Sequence, residues 1–213
     1  NYKNGVKEII TIAKRFYTLS NKNGKKILSS NIVSAISEEK DQVWIATNGG
    51  GLNKWNKKDN SVVVYNKNNK SISNDITHVV LKDRNGNRWI GSANGLNKWD
   101  EKDNLIKVYL PDSSNKYALS YNDITSGYMD KSGSLWFGTY GGLNKYEPSK
   151  DGFIVYKNKA NDTNTISENT ILVMFEDSKH NFWLGTGKGG LNLMNRKTGG
   201  FKRFSNPEIG FGQ

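Results

Sequence analysis

Three sets of residues in this sequence have the types and spacing that chemistry uses. Gly185, Gly187 and Gly190 spell G-x-G-x-x-G around Lys188, a pattern that binds a pyrophosphate where a strand feeds the N-terminus of a helix. Here the glycines run into "LNLMNRKTGG", which reads as another hairpin, and Lys188 is followed by Gly instead of Ser or Thr, so neither a dinucleotide fingerprint nor a P-loop forms. The second set is acidic: Glu38, Asp83, Asp130 and Asp177 recur at one place in a repeated phrase. Glycoside cleavage needs two carboxyl groups facing each other across one sugar. Acids at the same turn of successive units do not converge, and a carboxylate there accepts backbone N–H groups of its own hairpin. The third set, "DRNGN" from Asp83, has some features of a calcium loop, but its Gly is fourth instead of sixth and no acid stands twelfth. His78 and His180, on an inner strand and in a turn, make neither a metal cluster nor a nucleophile triad, and the absence of Cys excludes disulfides and thiolate ligands. The expectation is a non-enzyme with no cofactor and no metal.

The phrase that carries those acids is the organising feature. Trp44, Trp89, Trp136 and Trp183 are spaced 45, 47 and 47 residues apart, each with the acid six places before it. Two places after each stands a small residue (Ala46, Gly91, Gly138, Gly185), then Thr or Ser (Thr47, Ser92, Thr139, Thr186), then a Gly-Leu pair opening at Gly51, Gly95, Gly142 and Gly190. A unit of roughly 46 residues, built four times, is the signature of a repeat architecture. Within the third unit "NDITSGYM", "SLWFGT", "GLNKYE" and "GFIVYK" are short β-rich runs separated by turn residues, which reads as a meander of hairpins. Three places before Trp stand Asp41, Gly86, Gly133 and His180, all types tolerated at positive φ, so a left-handed residue is expected in each turn.

One four-stranded sheet cannot bury both of its faces. Sheets packed face to face around an axis can, with Trp filling the wedge and the small residue after it letting the next sheet approach. The fold class is therefore all-β: propeller blades of four antiparallel strands, over residues 28–66, 71–110, 119–157 and 166–205. Upstream, "NGVKEIITIAKRFYTL" aligns without a gap with "GGLNKWNKKDNSVVVY", so residues 1–20 read as the outer two strands of a preceding blade, and 206–213 as a tail. The expected whole, 1–213, is a single propeller segment of four full blades plus the outer half of a fifth, an arc of a larger ring; a compact five-bladed ring is the competing geometry. An arc exposes apolar faces at its ends, so self-association through them is expected.

Composition agrees. Hydrophobic residues make up only 35%, yet aromatics reach 11%, with six Trp and ten Tyr, which suits β-structure and not disorder. No apolar run reaches the ~18 residues of a membrane span, and the first residues lack a signal peptide, so any export signal is expected to be removed or to lie outside this sequence. The net charge of +11 comes from lysines interleaved with acids and Asn, as in "NKKDN" and "EPSKD". Such interleaving marks solvated hairpin tips, and no nucleic-acid partner is expected.

With its Trp, Gly-Thr and Gly-Gly-Leu-Asn elements, the repeated phrase resembles the two-component regulator propeller repeat, over essentially the whole chain. Ala46 and Ser92 break the "GT" element, and Leu193-Met194 replace the usual Lys-aromatic pair. The resemblance implies an extracytoplasmic sensor region, periplasmic or extracellular: seven-bladed propellers in a membrane-anchored protein with a separate output domain, and glycan fragments as signals in part of the family.

In a propeller the loops leading into the first strand and joining the second to the third gather on one face. Those positions are Asn31, Asn74, Asn122 and Asn169 for the first loop, and Asn48, Asn94, Tyr140 and Lys188 for the second. Amides with an aromatic platform suit sugar hydroxyls, and a lysine suits a uronate or sulfate. The candidate ligand residues are thus Tyr140, Lys188, Asn48, Asn94, Asn74 and Asn122. An Asn before the first strand of every unit is equally a turn former, which leaves Tyr140 and Lys188 as the informative pair. The functional readings are a glycan-type sensor segment, a protein-interaction scaffold, and, last, a propeller lyase or glycosidase.

Overall fold

The computed structural model describes residues 28–69, 71–100 and 105–204. The half-blade expected over 1–20 and the tail 206–213 lie outside the described residues. The first sheet comprises β1 (Val33–Glu38), β2 (Gln42–Thr47), β3 (Gly51–Asn56) and β4 (Val62–Tyr65). The second comprises β5 (Thr77–Lys82), β6 (Arg88–Ser92), β7 (Gly95–Asp100) and β8 (Leu105–Tyr109). The third is β9 (Ile124–Met129), β10 (Leu135–Thr139), β11 (Gly142–Glu147) and β12 (Gly152–Tyr156), with a 3-10 turn at Pro148–Lys150. The fourth is β13 (Ile171–Glu176), β14 (Phe182–Thr186), β15 (Leu191–Asn195) and β16 (Gly200–Phe204). Every sheet is a meander in chain order with antiparallel neighbours. Strands β6 and β10 are buried along their whole length, because a sheet covers each of their faces.

Strands β1, β5, β9 and β13 contact one another in succession, which makes them the inner strands and fans the sheets about a common axis. The seams are aromatic, as the repeat requires. Trp44 stacks on Tyr65 of its own sheet and meets Trp99 of the second edge-on; Trp89 lies between Tyr109 and the Phe137 and Tyr146 rings of the third; Trp136 lies between Tyr156 and Phe182 of the fourth. An indole buried this way takes roughly 200 Å² out of water, on the order of 4–5 kcal/mol before entropy is counted. The small residue matters as expected: a Cβ on Gly91 would lie 2.7 Å from Ile124 Cγ2 of the next sheet, and one on Gly138 would lie 2.8 Å from the Ile171 carbonyl oxygen.

The recurring Asp clamps its hairpin and its tryptophan together. Asp83 Oδ1 accepts the N–H groups of Asn85 and Asn87, while Oδ2 accepts the Trp89 indole N–H at 2.9 Å. Asp130 and Asp177 do the same for Trp136 at 2.8 Å and Trp183 at 3.0 Å. Gly86, Gly133 and His180 sit at φ 91°, 90° and 65°, the left-handed residues expected.

The first hairpin departs from this plan. Glu38 pairs with Val43, whereas Lys82 pairs with Arg88, so the first turn is one residue shorter and Glu39, not Glu38, stands in the register of Asp83. Its two-residue loop closes with Glu39 N–H donating to the Gln42 carbonyl, and Asp41 is not left-handed because no bulge residue remains to be accommodated. Glu39 turns instead to Lys82 and Arg88 of the second sheet, and the buried Arg88 guanidinium lies 3.7 Å from the centre of the Trp44 ring. Nε1 of Trp44 has no hydrogen-bond partner among the described residues.

Candidate ligand-binding face

The end of the sheets opposite those turns carries the predicted ligand residues, and a repeated polar lattice fixes it. The Asn after each Gly-Leu pair is fully buried: Asn53, Asn97, Asn144 and Asn192. Each side-chain oxygen accepts the N–H of a serine ahead of the inner strand, Ser29, Ser73, Ser120 or Ser167, at 2.8–3.0 Å. Each amide nitrogen donates to the same serine's hydroxyl. The Thr or Ser after the small residue donates across its own loop to the Gly51, Gly95, Gly142 or Gly190 carbonyl. Buried amides satisfied on both sides hold these loops to one conformation. The sequence reading left these serines and asparagines unassigned; the signal for them is the Leu-Asn closing every phrase.

The residue after each serine faces solvent beside the second loop, and its type changes from sheet to sheet. It is Ser30, Asn74, Tyr121 and Glu168 in turn. Ser30 donates to the Asn48 carbonyl at 2.9 Å. Tyr121 meets Tyr140 edge-on, with ring centres 6.1 Å apart and both rings about half exposed (46% and 50%). The Glu168 carboxylate accepts the backbone N–H groups of Lys188 and Gly189. Asn48, Asn94, Tyr140 and Lys188 are all exposed on this face. Neighbouring sheets are stitched there: Asn48 bridges to Ile76, the Asp75 carbonyl accepts from Gly49 and Gly51, and the Asn122 carbonyl accepts from Gly95.

Asn74 belongs one place earlier than its sequence phrase suggests. The register of the inner strands sets Asp75 opposite Asn31, Asn122 and Asn169. Asp75 and Asn169 accept the N–H groups of Lys67 and Asn158 just beyond the preceding outer strand, and Asn74 accepts the N–H of Ile76, so these side chains serve turns. The face also has a groove wall that the sequence did not mark. Each inner strand has a bulge here, and that of β5 places His78 Nε2 3.6 Å from Asp123 Oδ1 of the third sheet. Burial raises the Asp123 carboxyl above its ordinary value, with the histidine's charge opposing the shift. Exposed aromatics, amides, a lysine and a histidine–carboxylate pair can stack on and hydrogen-bond a polar ligand. Among the described residues no group of three His, Asp or Glu side chains could hold a metal, and no helix is long and apolar enough to cross a membrane.

Comparison with solved structures places this geometry. The chain is similar to the extracellular domain of the hybrid two-component system BT3049 from B. thetaiotaomicron, with a TM-score of 0.72 and 25% identity over 84% of this chain and 25% of that one. It thus spans about a quarter of the length of that domain. The WD40 repeats of RRP9 match with a TM-score of 0.60 at 7% identity, over 84% of this chain and 53% of that one. The computationally designed Ika4 protein matches with a TM-score of 0.51 at 12% identity, over 80% and 97%. The last two share the propeller fold alone. No family model matches the sequence, and no curated protein does. Repeat phrase and sensor-domain likeness agree: the blades are of the two-component regulator propeller kind, and the extracytoplasmic location expected of them is that of the matching domain.

Proposed function

We propose that this chain is a non-catalytic sensor segment of a membrane-anchored receptor of the two-component type, and that its loop-rich face takes part in recognising a carbohydrate or similar polar ligand. Residues 1–20 belong, on this reading, to the outer strands of a preceding blade in the larger ring. The observation that carries it is the contrast between a lattice repeated in all four sheets and the solvent-facing positions beside it, which differ in every sheet. A purely structural turn has no reason to change from Ser to Asn to Tyr to Glu, whereas a surface that reads one asymmetric ligand does. The exposed Tyr121–Tyr140 pair offers C–H faces of a sugar a platform, with Asn48 and Asn94 for hydroxyls. Nothing on this face pairs two carboxyls across a cleft as hydrolysis of a glycoside requires.

The test is a glycan array followed by calorimetry with Tyr140→Ala and Tyr121→Ala. Saturable binding of one glycan class, weakened about tenfold or more by either substitution, is expected, since loss of a stacked ring costs about 1–2 kcal/mol. Absence of glycan binding together with capture of a defined extracellular protein would replace this reading by that of an interaction scaffold.

A further inference from the structure

Each internal seam joins two unlike halves, the tryptophan-bearing face of one sheet and the opposite face of the next. The described residues leave one of each uncovered. Leu52, Leu96 and Leu143 are fully buried by the sheet that follows them, while Leu191 in the same register is 42% exposed and Phe175 beside it 57%. Together with Val173, Trp183 and Gly185 they line an apolar depression of about 340 Å³ on the fourth sheet. The other half stands open on the first sheet, where Ile36 is 65% exposed although Val80 and Met174 in its register are buried.

Charge fits the same pairing. At the third seam the backbone N–H of Lys131 donates to the Glu176 carboxylate and its ammonium to the Asp177 carbonyl. Glu38 on the first sheet holds the register of Glu176 and is exposed, with Lys57 as its ion-pair partner, and Lys179 is exposed at the lower turn of the fourth. The two open faces therefore carry opposite charges at the same level.

We infer that a second copy of this chain seats its first sheet on the fourth sheet of the first copy, head to tail, remaking the internal seam between molecules. Such a contact is heterologous, so each end of a dimer keeps one open face and growth continues. Four strands about 4.8 Å apart and about 17 Å long cover on the order of 300 Å², less than the roughly 800 Å² per partner of a standard interface, so the association is weak and concentration-dependent.

Sedimentation of the full chain from dilute to concentrated solution tests this. The weight-average mass is expected to rise past that of a dimer without a plateau, with a blue shift in tryptophan emission as Trp183 is covered. Phe175→Glu and Ile36→Glu, both at exposed positions, should each be monomeric alone. Mixed in equal amounts they should form a dimer and nothing larger, because one supplies an intact first sheet and the other an intact fourth. A wild-type chain that stays monomeric throughout, a variant that associates alone as the wild type does, or a mixture that stays monomeric would overturn the inference. Far-UV circular dichroism establishes that each variant is folded, and Phe175→Ser and Ile36→Ser replace any that is not.

Discussion

The same substitution made at two equivalent positions separates packing between sheets from everything else. Gly138 and Gly185 both stand two residues after a repeat tryptophan, and neither has a positive φ. Changing either to alanine restricts the unfolded chain, a stabilising effect of about 0.4–1 kcal/mol common to both. The folded-state consequences differ. A Cβ on Gly138 would lie 2.8 Å from the Ile171 carbonyl oxygen and 2.9 Å from Ile171 Cβ, on the backbone of the facing sheet, with the Ser126 hydroxyl closer still. That sheet must move, and overpacking of this kind costs about 1–3 kcal/mol. A Cβ on Gly185 would meet only Val173 Cγ1, at 2.6 Å, a side chain on the open face with room to turn. Gly138→Ala is therefore expected to be the less stable by about 1–3 kcal/mol, and Gly185→Ala to lie within about 1 kcal/mol of the parent protein. Urea titration followed by tryptophan fluorescence, in dilute solution where copies do not meet, reads this as a lower midpoint at unchanged slope for Gly138→Ala alone. Equal midpoints, or Gly185→Ala as the more damaging change, would refute the assignment of these residues to a covered and an uncovered seam.

Two further outcomes follow from the aspartate clamp and its neighbours. Asp130→Ala strips the Trp136 indole N–H, the Ser134 N–H and the Ser132 hydroxyl of their acceptor in a buried site beside Arg196, and should cost about 2–4 kcal/mol in the same urea assay. Stability should also be bounded by acid and by alkali. Burial raises Asp130, but hydrogen bonds from Ser132 and Trp136 outweigh it, and those from Trp183 and Asn181 hold Asp177 well below its ordinary value. Carboxyls depressed by folding contribute stability that is complete above the unfolded value near 4 and lost as pH falls below it. Tyr109, raised by burial and by its bonds to Asp151 and Tyr146, contributes stability that is complete below the ordinary phenol value near 10 and lost as pH rises past it. Urea midpoints should be highest between these limits; a maximum on the acid side of pH 4 would contradict both assignments.

The architecture was legible because propeller seams use few residue types at fixed intervals. An indole needs a wedge, the wedge needs a small residue opposite, and the turn needs a carboxylate and a left-handed residue, so four copies of one phrase spell four sheets. Register was less legible. In the first unit Glu38 and Glu39 are both acidic, and only the strand pairing tells that the turn has lost a residue, that Glu39 has left the indole, and that Arg88 covers it. "NDIT" occurs in the second and third units one register apart, so matching letters set Asn74 where Asp75 belongs. The buried asparagines were hidden for another reason: on a strand that alternates in and out an Asn reads as outward-facing, and only a sheet covered on both sides turns that position inward.

That burial explains how one frame can present different ligands. Ser29, Ser73, Ser120 and Ser167 hold the chain through their own backbone and hydroxyl groups, so the side chain one residue on is free of any part in closing the sheet. The same holds on the facing loop, where the Thr or Ser before Asn48, Ala93, Tyr140 and Gly187 makes the closing bond. Loop length varies too, with three residues before Gly51 and Gly190 but two before Gly95 and Gly142. Conserving the lattice while changing what stands beside it decouples recognition from folding, and it concentrates the asymmetry of the molecule on the one face where neighbouring sheets are already stitched together. A ligand spanning the second and third sheets there would touch Asn94, His78 and the tyrosine pair at once, and would bear on the seam that Asp123 and His78 share.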